Sequence, residues 1–209
     1  MAKSGIPLLV FFGGIATLCA LMAHFFEVTS LRYGTWIFSS LSGFTIFFFR
    51  DPQRAVPQGE HLVVSAADGR VVRIVRVPEG VRVSVFMTVF NVHVNRIPCS
   101  GRVERVTYYP GRFFSAFREK ASKENERLET VIVRGTRRVI VKQIAGVIAR
   151  RIVCRLKEGD VVHTGERFGM IKFGSRVDLT LPAETEIKVR VGDRVRGGQT
   201  IMGVMRDGN

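Results

Sequence analysis

Four short segments of this 209-residue chain carry side chains able to do chemistry. The first is Ser65-Ala66-Ala67-Asp68-Gly69-Arg70-Val71, an acidic turn entering a strand; alone, Asp68 reads as a turn residue before glycine. The second is Phe90-Asn91-Val92-His93-Val94-Asn95-Arg96-Ile97-Pro98. His93 alternates with Val92 and Val94, so it shares a strand face with Asn91 and Asn95. A lone strand histidine is more often structural than catalytic, but here two neighbouring amides could fix the imidazole tautomer. The third runs from Gly111-Arg112-Phe113-Phe114 to Lys120-Ala121-Ser122-Lys123-Glu124-Asn125-Glu126-Arg127. Phe113, Phe114 and Phe117 among cations suit either an exposed amphipathic helix and loop or a lipid-facing surface. The fourth, Phe168 to Asp178, contains Gly174-Ser175, a common pair that carries little weight by itself.

Strands must position these groups. Leu62–Val64, Arg70–Val77, Val81–Thr88, Thr130–Val133, Arg138–Gln143 and Gly146–Leu156 are short and rich in β-branched residues, with Gly, Pro and Asp between them. A helix is expected only around Phe113–Arg127. A Gly-Asp-x-Val-x-x-Gly pattern occurs at Gly159–Gly165 and again at Gly192–Gly198, each followed by an apolar strand. Such turns suit tight hairpins. The expected fold is mainly β and similar to the barrel-sandwich of lipoyl and biotinyl carriers. Those carriers present a modifiable lysine at a hairpin tip. The candidates here, Lys172 and Lys188, lack methionines on both sides, so the likeness supports the fold and not the carrier function.

The chain divides by composition. Residues 1–50 hold only Lys3, Glu27, Arg32 and Arg50 as charges, against a formal net charge of +14 for the whole. Ile6–Phe26 is an uncharged run of 21 residues and Tyr33–Phe49 one of 17. About 20 helical residues cross a hydrocarbon core of roughly 30 Å. Residues 1–50 are therefore expected to form a membrane anchor of one or two helices, and 51–209 a basic β-rich domain. A signal peptide is the rival, but the run is long and a second apolar run follows it instead of a polar mature sequence. Lys3, Arg50 and Arg54 flank the runs, which places both ends and the domain on the cytoplasmic side of the cell's inner membrane. The excess of arginine attracts polyanions. No recognition helix, zinc knuckle or aromatic platform points to nucleic acid, so anionic headgroups are the expected partner. Cys19, Cys99 and Cys154 make no disulfide framework and have no metal-ligand spacing, so no metal is expected.

In order and across nearly the whole chain, the segments resemble the phosphatidylserine decarboxylase family. The matching pieces are the turn at Asp68, HVNRIPCSG from His93, KASKENER from Lys120, FGMIKFGSRVD ending at Asp178, and the stretch from Leu181 to Gly203. The resemblance is to the compact form of the family, similar also to enzymes acting on archaetidylserine. It implies self-cleavage at Gly174-Ser175 into a β chain of 1–174 and an α chain of 175–209, which stay together as a heterodimer of open further assembly. It also implies a covalent pyruvoyl cofactor made from Ser175 and a serine-lipid substrate. No ordinary side chain is an adequate sink for the electron pair that departing carbon dioxide leaves. Serine needs an oriented base to act as a nucleophile. By resemblance Asp68, His93 and Ser175 form the catalytic set. Many family members carry a second histidine three residues on, where this chain has Arg96, so the step served by His93 stays open. Arg96 and Asn95 are expected at the substrate, with Phe113 and Phe114 at the bilayer; His24, His61 and His163 lack matching context. The reading from another class is a membrane-tethered adaptor or carrier that keeps an intact chain.

Overall fold

A computed structural model describes residues 1–59, 61–112, 124–146, 152–171 and 175–205. The chain forms two compact units, Met1–Pro52 and Gln53–Asn209. In the first, a short turn at Lys3–Gly5 leads into helix α1 (Ile6–Phe25), and α2 (Thr29–Phe48) returns beside it. Pro7 sits in the first turn of α1, where a missing N–H costs nothing. Phe12 stacks on Phe38 with ring centroids 6.4 Å apart, and the Ala2 N–H donates to the Phe49 carbonyl at 2.7 Å, tying the two ends. Hydroxyls on both helices bond back one turn, as Thr17 does to Gly13 and Thr45 to Leu41, so few polar groups face outward unsatisfied. Among the described residues only α1 is long and apolar enough to cross a membrane.

The second unit is built from fourteen strands. They are β1 (Leu62–Val64), β2 (Gly69–Val77), β3 (Gly80–Met87), β4 (Val94–Arg96), β5 (Gly101–Tyr109), β6 (Arg127–Arg134) and β7 (Arg137–Ile144). Then come β8 (Ile152–Cys154), β9 (Val161–Val162), β10 (Arg167–Ile171), β11 (Ser175–Leu181), β12 (Glu186–Ile187), β13 (Arg194–Val195) and β14 (Ile201–Val204). Eight of them form one curled antiparallel sheet in the order β13-β2-β3-β11-β7-β6-β5-β9, and two three-stranded sheets, β1-β14-β12 and β4-β10-β8, pack with it. The expected mainly β fold with an apolar N-terminal helix is what forms. Alternation puts Val83 and Val85 of β3, Val139 and Val141 of β7, and Val177 and Leu179 of β11 into one buried core. β11 comes late in sequence yet enters between β3 and β7, hydrogen-bonded to both.

The helix expected over Phe113–Arg127 lies mostly outside the described residues, but its last residue is corrected: Arg127 opens β6 and pairs with Tyr109 and Ile144. Lys172 also lies outside them, while Lys188 follows β12 and pairs with Glu186.

The Gly-Asp repeat is the visible half of a larger symmetry. Its first and last glycines take positive φ in both copies, 89° and 81° at Gly159 and Gly165, 101° and 75° at Gly192 and Gly198, where a Cβ would be strained. Asp160 caps the Lys157 N–H and Asp193 the Arg190 N–H, each at 2.8 Å. One copy feeds β9, which pairs with the start of β5; the other feeds β13, which pairs with the start of β2. The segments that receive them are also related. The Val64 N–H donates to the Pro98 carbonyl at 2.8 Å, and reciprocally the Arg96 N–H donates to the Ala66 carbonyl at 2.9 Å. Within this pseudo-two-fold, Asp68 and Ser100 are equivalent: Gly197 N–H donates to Asp68 Oδ1 at 2.7 Å, and Thr164 N–H to Ser100 Oγ at 3.0 Å. Only one half carries a carboxylate there.

Candidate active site

Ser175 is the first residue of β11, and Met87, the last of β3, lies directly across from it. The hydroxyl points to the core face and is fully buried, with Met87 Sδ 3.4 Å from its Oγ. A thioether is a weak acceptor, so the hydroxyl is held without being committed to a strong bond. On the opposite face of the strand, Arg176 Nε and Nη2 donate to Asp178 Oδ1 and Oδ2 at 2.6 and 2.8 Å, and both side chains are buried. This forked pair fixes the strand on the side away from the serine.

Asp68 immediately precedes β2, which is separated from β11 only by β3. It therefore stands at the same end of the sheet as Ser175, two strand spacings or roughly 10 Å away along the backbone. Its Oδ2 accepts from Arg54 Nη2 at 2.7 Å, beside the Gly197 contact at Oδ1, and Arg54 Nη1 donates to Gln199 Oε1 at 2.8 Å. The Arg54 and Asp68 side chains are only 9% and 12% exposed. A guanidinium and a backbone amide together hold this buried carboxylate in one place.

His93 is fully buried just before β4. Its Nδ1 lies 2.9 Å from the Asn91 carbonyl. A carbonyl only accepts, so in the neutral ring Nδ1 holds the proton and Nε2 is the basic nitrogen. The tautomer is thus set by a backbone group, which corrects the expectation that the Asn91 and Asn95 amides set it. The Asn91 side chain instead accepts from the Thr88 N–H and hydroxyl at 2.8 and 2.9 Å, and Asn95 Oδ1 accepts from Gln143 Nε2 at 2.7 Å. The His93 carbonyl accepts the Ile171 N–H at 3.4 Å, so the histidine segment is tied to the end of β10, three residues before Gly174-Ser175 begins to matter.

Arg96 is buried among the glycine turns: Nη1 donates to the Gly165 carbonyl at 3.0 Å, and a Cβ at Gly198 would come within 2.7 Å of its Cδ. Phe113, Phe114 and Gly174 lie outside the described residues. The two thiols of the β-rich unit offer no rival nucleophile near neutral pH, because burial pushes Cys99 up to about 12 and raises Cys154 as well. Among the described residues no three His, Cys, Asp or Glu side chains meet as a metal site would require. A cleft of about 700 Å³ lined by Glu79, Arg134, Arg137 and Pro182 lies beyond the Leu181 end of β11, away from Ser175, and is lined by none of Asp68, His93 and Ser175. Sequence reasoning missed Arg54, Gly197 and Gln143. Arg54 lies two residues after Asp51-Pro52, where nothing but its charge marks it, whereas Gln143 is signalled by a polar residue in step with Val139 and Val141.

A family model described as phosphatidylserine decarboxylase matches residues 41–203. The phosphatidylserine decarboxylase proenzyme of Syntrophus aciditrophicus is 47% identical to this chain over 212 residues, covering 97% of it and 96% of that protein. The proenzymes of the same description from Desulfotalea psychrophila and Oleidesulfovibrio alaskensis are 41% and 47% identical, covering 97% and 91% of this chain and 95% and 90% of their own lengths. Matches of this extent span both the segment around Asp68 and His93 and the strand that begins at Ser175. The chain belongs to the phosphatidylserine decarboxylase family, and it is a decarboxylase.

Proposed function

We propose that the chain converts a phosphatidylserine-type lipid into the corresponding ethanolamine lipid after cutting itself at Gly174-Ser175. The relatives' shared description supports the substrate, and their being proenzymes supports maturation by cleavage. The observation that carries the reading is the position of Ser175: a buried, weakly bonded hydroxyl at the first residue of a central strand, four residues after the end of β10, which pairs with the strand that follows the buried His93.

His93 Nε2 takes the hydroxyl proton, and Asp68, held in place by Arg54, stabilises the cationic end of the site electrostatically. The freed Oγ attacks the Gly174 carbonyl carbon; the peptide C–N bond breaks and the nitrogen of residue 175 takes up a proton. Loss of the Cα proton of residue 175 then breaks its Cβ–Oγ bond, which leaves a carboxylate on Gly174 and a Cα=Cβ bond; the resulting enamine becomes an imine, and water replaces its nitrogen, which departs as ammonia. The site fits the resulting group, since β11 keeps its pairing to β3 and β7 when the bond before it opens. A pyruvoyl group at residue 175 supplies a ketone carbonyl that, joined to the substrate amine, takes up the electron pair released with carbon dioxide. His93 holds the proton that replaces the lost carboxyl group, and Phe113 and Phe114 meet the bilayer; Arg96, expected at the headgroup, is instead buried against the Gly165 carbonyl. With α1 as the anchor, the domain works at the cytoplasmic face of the inner membrane as a heterodimer of its own α and β chains.

Ser175→Ala is expected to leave one uncut chain of 23.4 kDa without activity, while the natural chain yields 1–174 and an amino-blocked 175–209. Mass spectrometry finding normal cleavage in the alanine variant, or an ordinary serine at 175 in the active protein, refutes the reading.

A further inference from the structure

Gln143 stands in β7 in step with Val139 and Val141, so its side chain faces the core, opposite Val177 of β11. Ser175 lies on that same face two residues earlier, which makes it the diagonal neighbour of Gln143, a relation that spans about 7–8 Å. The Gln143 amide does not stay within its own sheet. It reaches β10, where a Cβ on Gly169 would come 3.0 Å from its Nε2, and it donates to Asn95 Oδ1 of β4 at 2.7 Å. One side chain therefore joins the strand that follows His93, the strand that leads to Gly174-Ser175, and the sheet that Ser175 opens.

That bridge is costly. Both amides are fully buried, and neither Gln143 Oε1 nor Asn95 Nδ2 has a hydrogen-bond partner among the described residues. Turning both amides over changes which atoms are left but still leaves one donor and one acceptor. Each buried unsatisfied group destabilises the fold, and a pair of leucines would fill the same space without that penalty. Core packing alone does not call for glutamine here.

We infer that Gln143 is a positioning residue for the chemistry at Ser175, acting through Asn95 to hold the His93 strand in register with the start of β11; this rests on the self-cleaving reading above. The test follows cleavage of the full-length chain, made by cell-free translation, on denaturing gels, alongside thermal unfolding of the same variants. Gln143→Met keeps the volume and is expected to slow cleavage by about tenfold or more, as small misplacements do. Asn95→Leu with Gln143→Leu removes donor and acceptor together, so it is expected to unfold no earlier than the natural chain and still to cleave about tenfold slower or worse. A role in stability alone would restore cleavage along with stability. Cleavage of either folded variant within about twofold of the natural rate overturns the inference while leaving self-cleavage intact. Should the double variant unfold early, the folded fraction of Gln143→Met decides by the same criterion. A natural chain that never cleaves overturns both readings.

Discussion

Arg54→Ala tests the electrostatics of the site most directly. The guanidinium and the Asp68 carboxylate are 2.7 Å apart and nearly out of reach of water, and the same guanidinium also holds Gln199. Removing it leaves a buried anion with the Gly197 amide as its remaining strong contact and takes away the Gln199 bond, one of the ties on the loop between β13 and β14. Breaking a buried pair from one side costs about 3–5 kcal/mol. Because 12% of the Asp68 side chain still meets solvent, the low end, about 3 kcal/mol, is the better expectation. For units of 150–250 residues each kcal/mol moves the midpoint by about 2–4 °C, so a fall of about 6–12 °C is expected. The measurement is differential scanning calorimetry in a Ser175→Ala background, which holds processing constant. Asp68→Asn should then rescue much of the loss when combined with Arg54→Met, since the double change leaves no unpaired charge. A midpoint within about 2 °C of the parent, or losses that simply add in the double variant, would show that the pair is not the buried clamp described here.

The Arg176–Asp178 fork should behave in the same sense: Asp178→Ala alone is expected to cost about 3–5 kcal/mol in urea unfolding, whereas Arg176→Met with Asp178→Leu should come out near neutral. Equal losses in the single and double variants would count against a charge-pairing account. Cys99 gives a pH signature. Its folded pKa is raised from 9.0 to about 12 by burial, so its contribution is complete below pH 9 and is lost as pH rises toward 12. Each unit is worth about 1.4 kcal/mol, so from pH 9 to 11 the natural chain should lose up to about 3 kcal/mol more than Cys99→Ala. Parallel alkaline limbs for the two proteins would exclude it.

How much could be read beforehand varied by element, for physical reasons. β1 matches its expected span residue for residue, and β2, β3, β6 and β7 differ by a few residues at their ends, because β-branched runs between Gly and Pro turns are an unambiguous local signal. β5 was missed. Arg102, Glu104 and Arg105 break up the alternation, and a register shift between Val103 and Arg105 disturbs its period of two. The repeat at Gly159 and Gly192 was legible through its glycines. Its receiving segments share only Gly-Arg-Val, and their reciprocal bonds exist only once the chain is folded. Ser175, Asp68 and His93 were found by likeness to a family, not by local pattern. Arg54, which holds Asp68, and Gln143, which holds Asn95, come from elsewhere in the chain, and no short-range spacing marks a contact between residues 54 and 68 or 95 and 143.

The insertion of β11 between β3 and β7 has a further consequence. Opening the bond before Ser175 would not loosen the molecule, since the released strand keeps ladders on both edges and a core-facing row of Val177, Leu179 and Leu181. Afterwards, though, the two pieces are separate polymers, and losing the native state means parting them. Unfolding would then be a dissociation governed by mass action, and the resistance of a cut protein to heat would grow with its concentration, while that of an uncut chain would not.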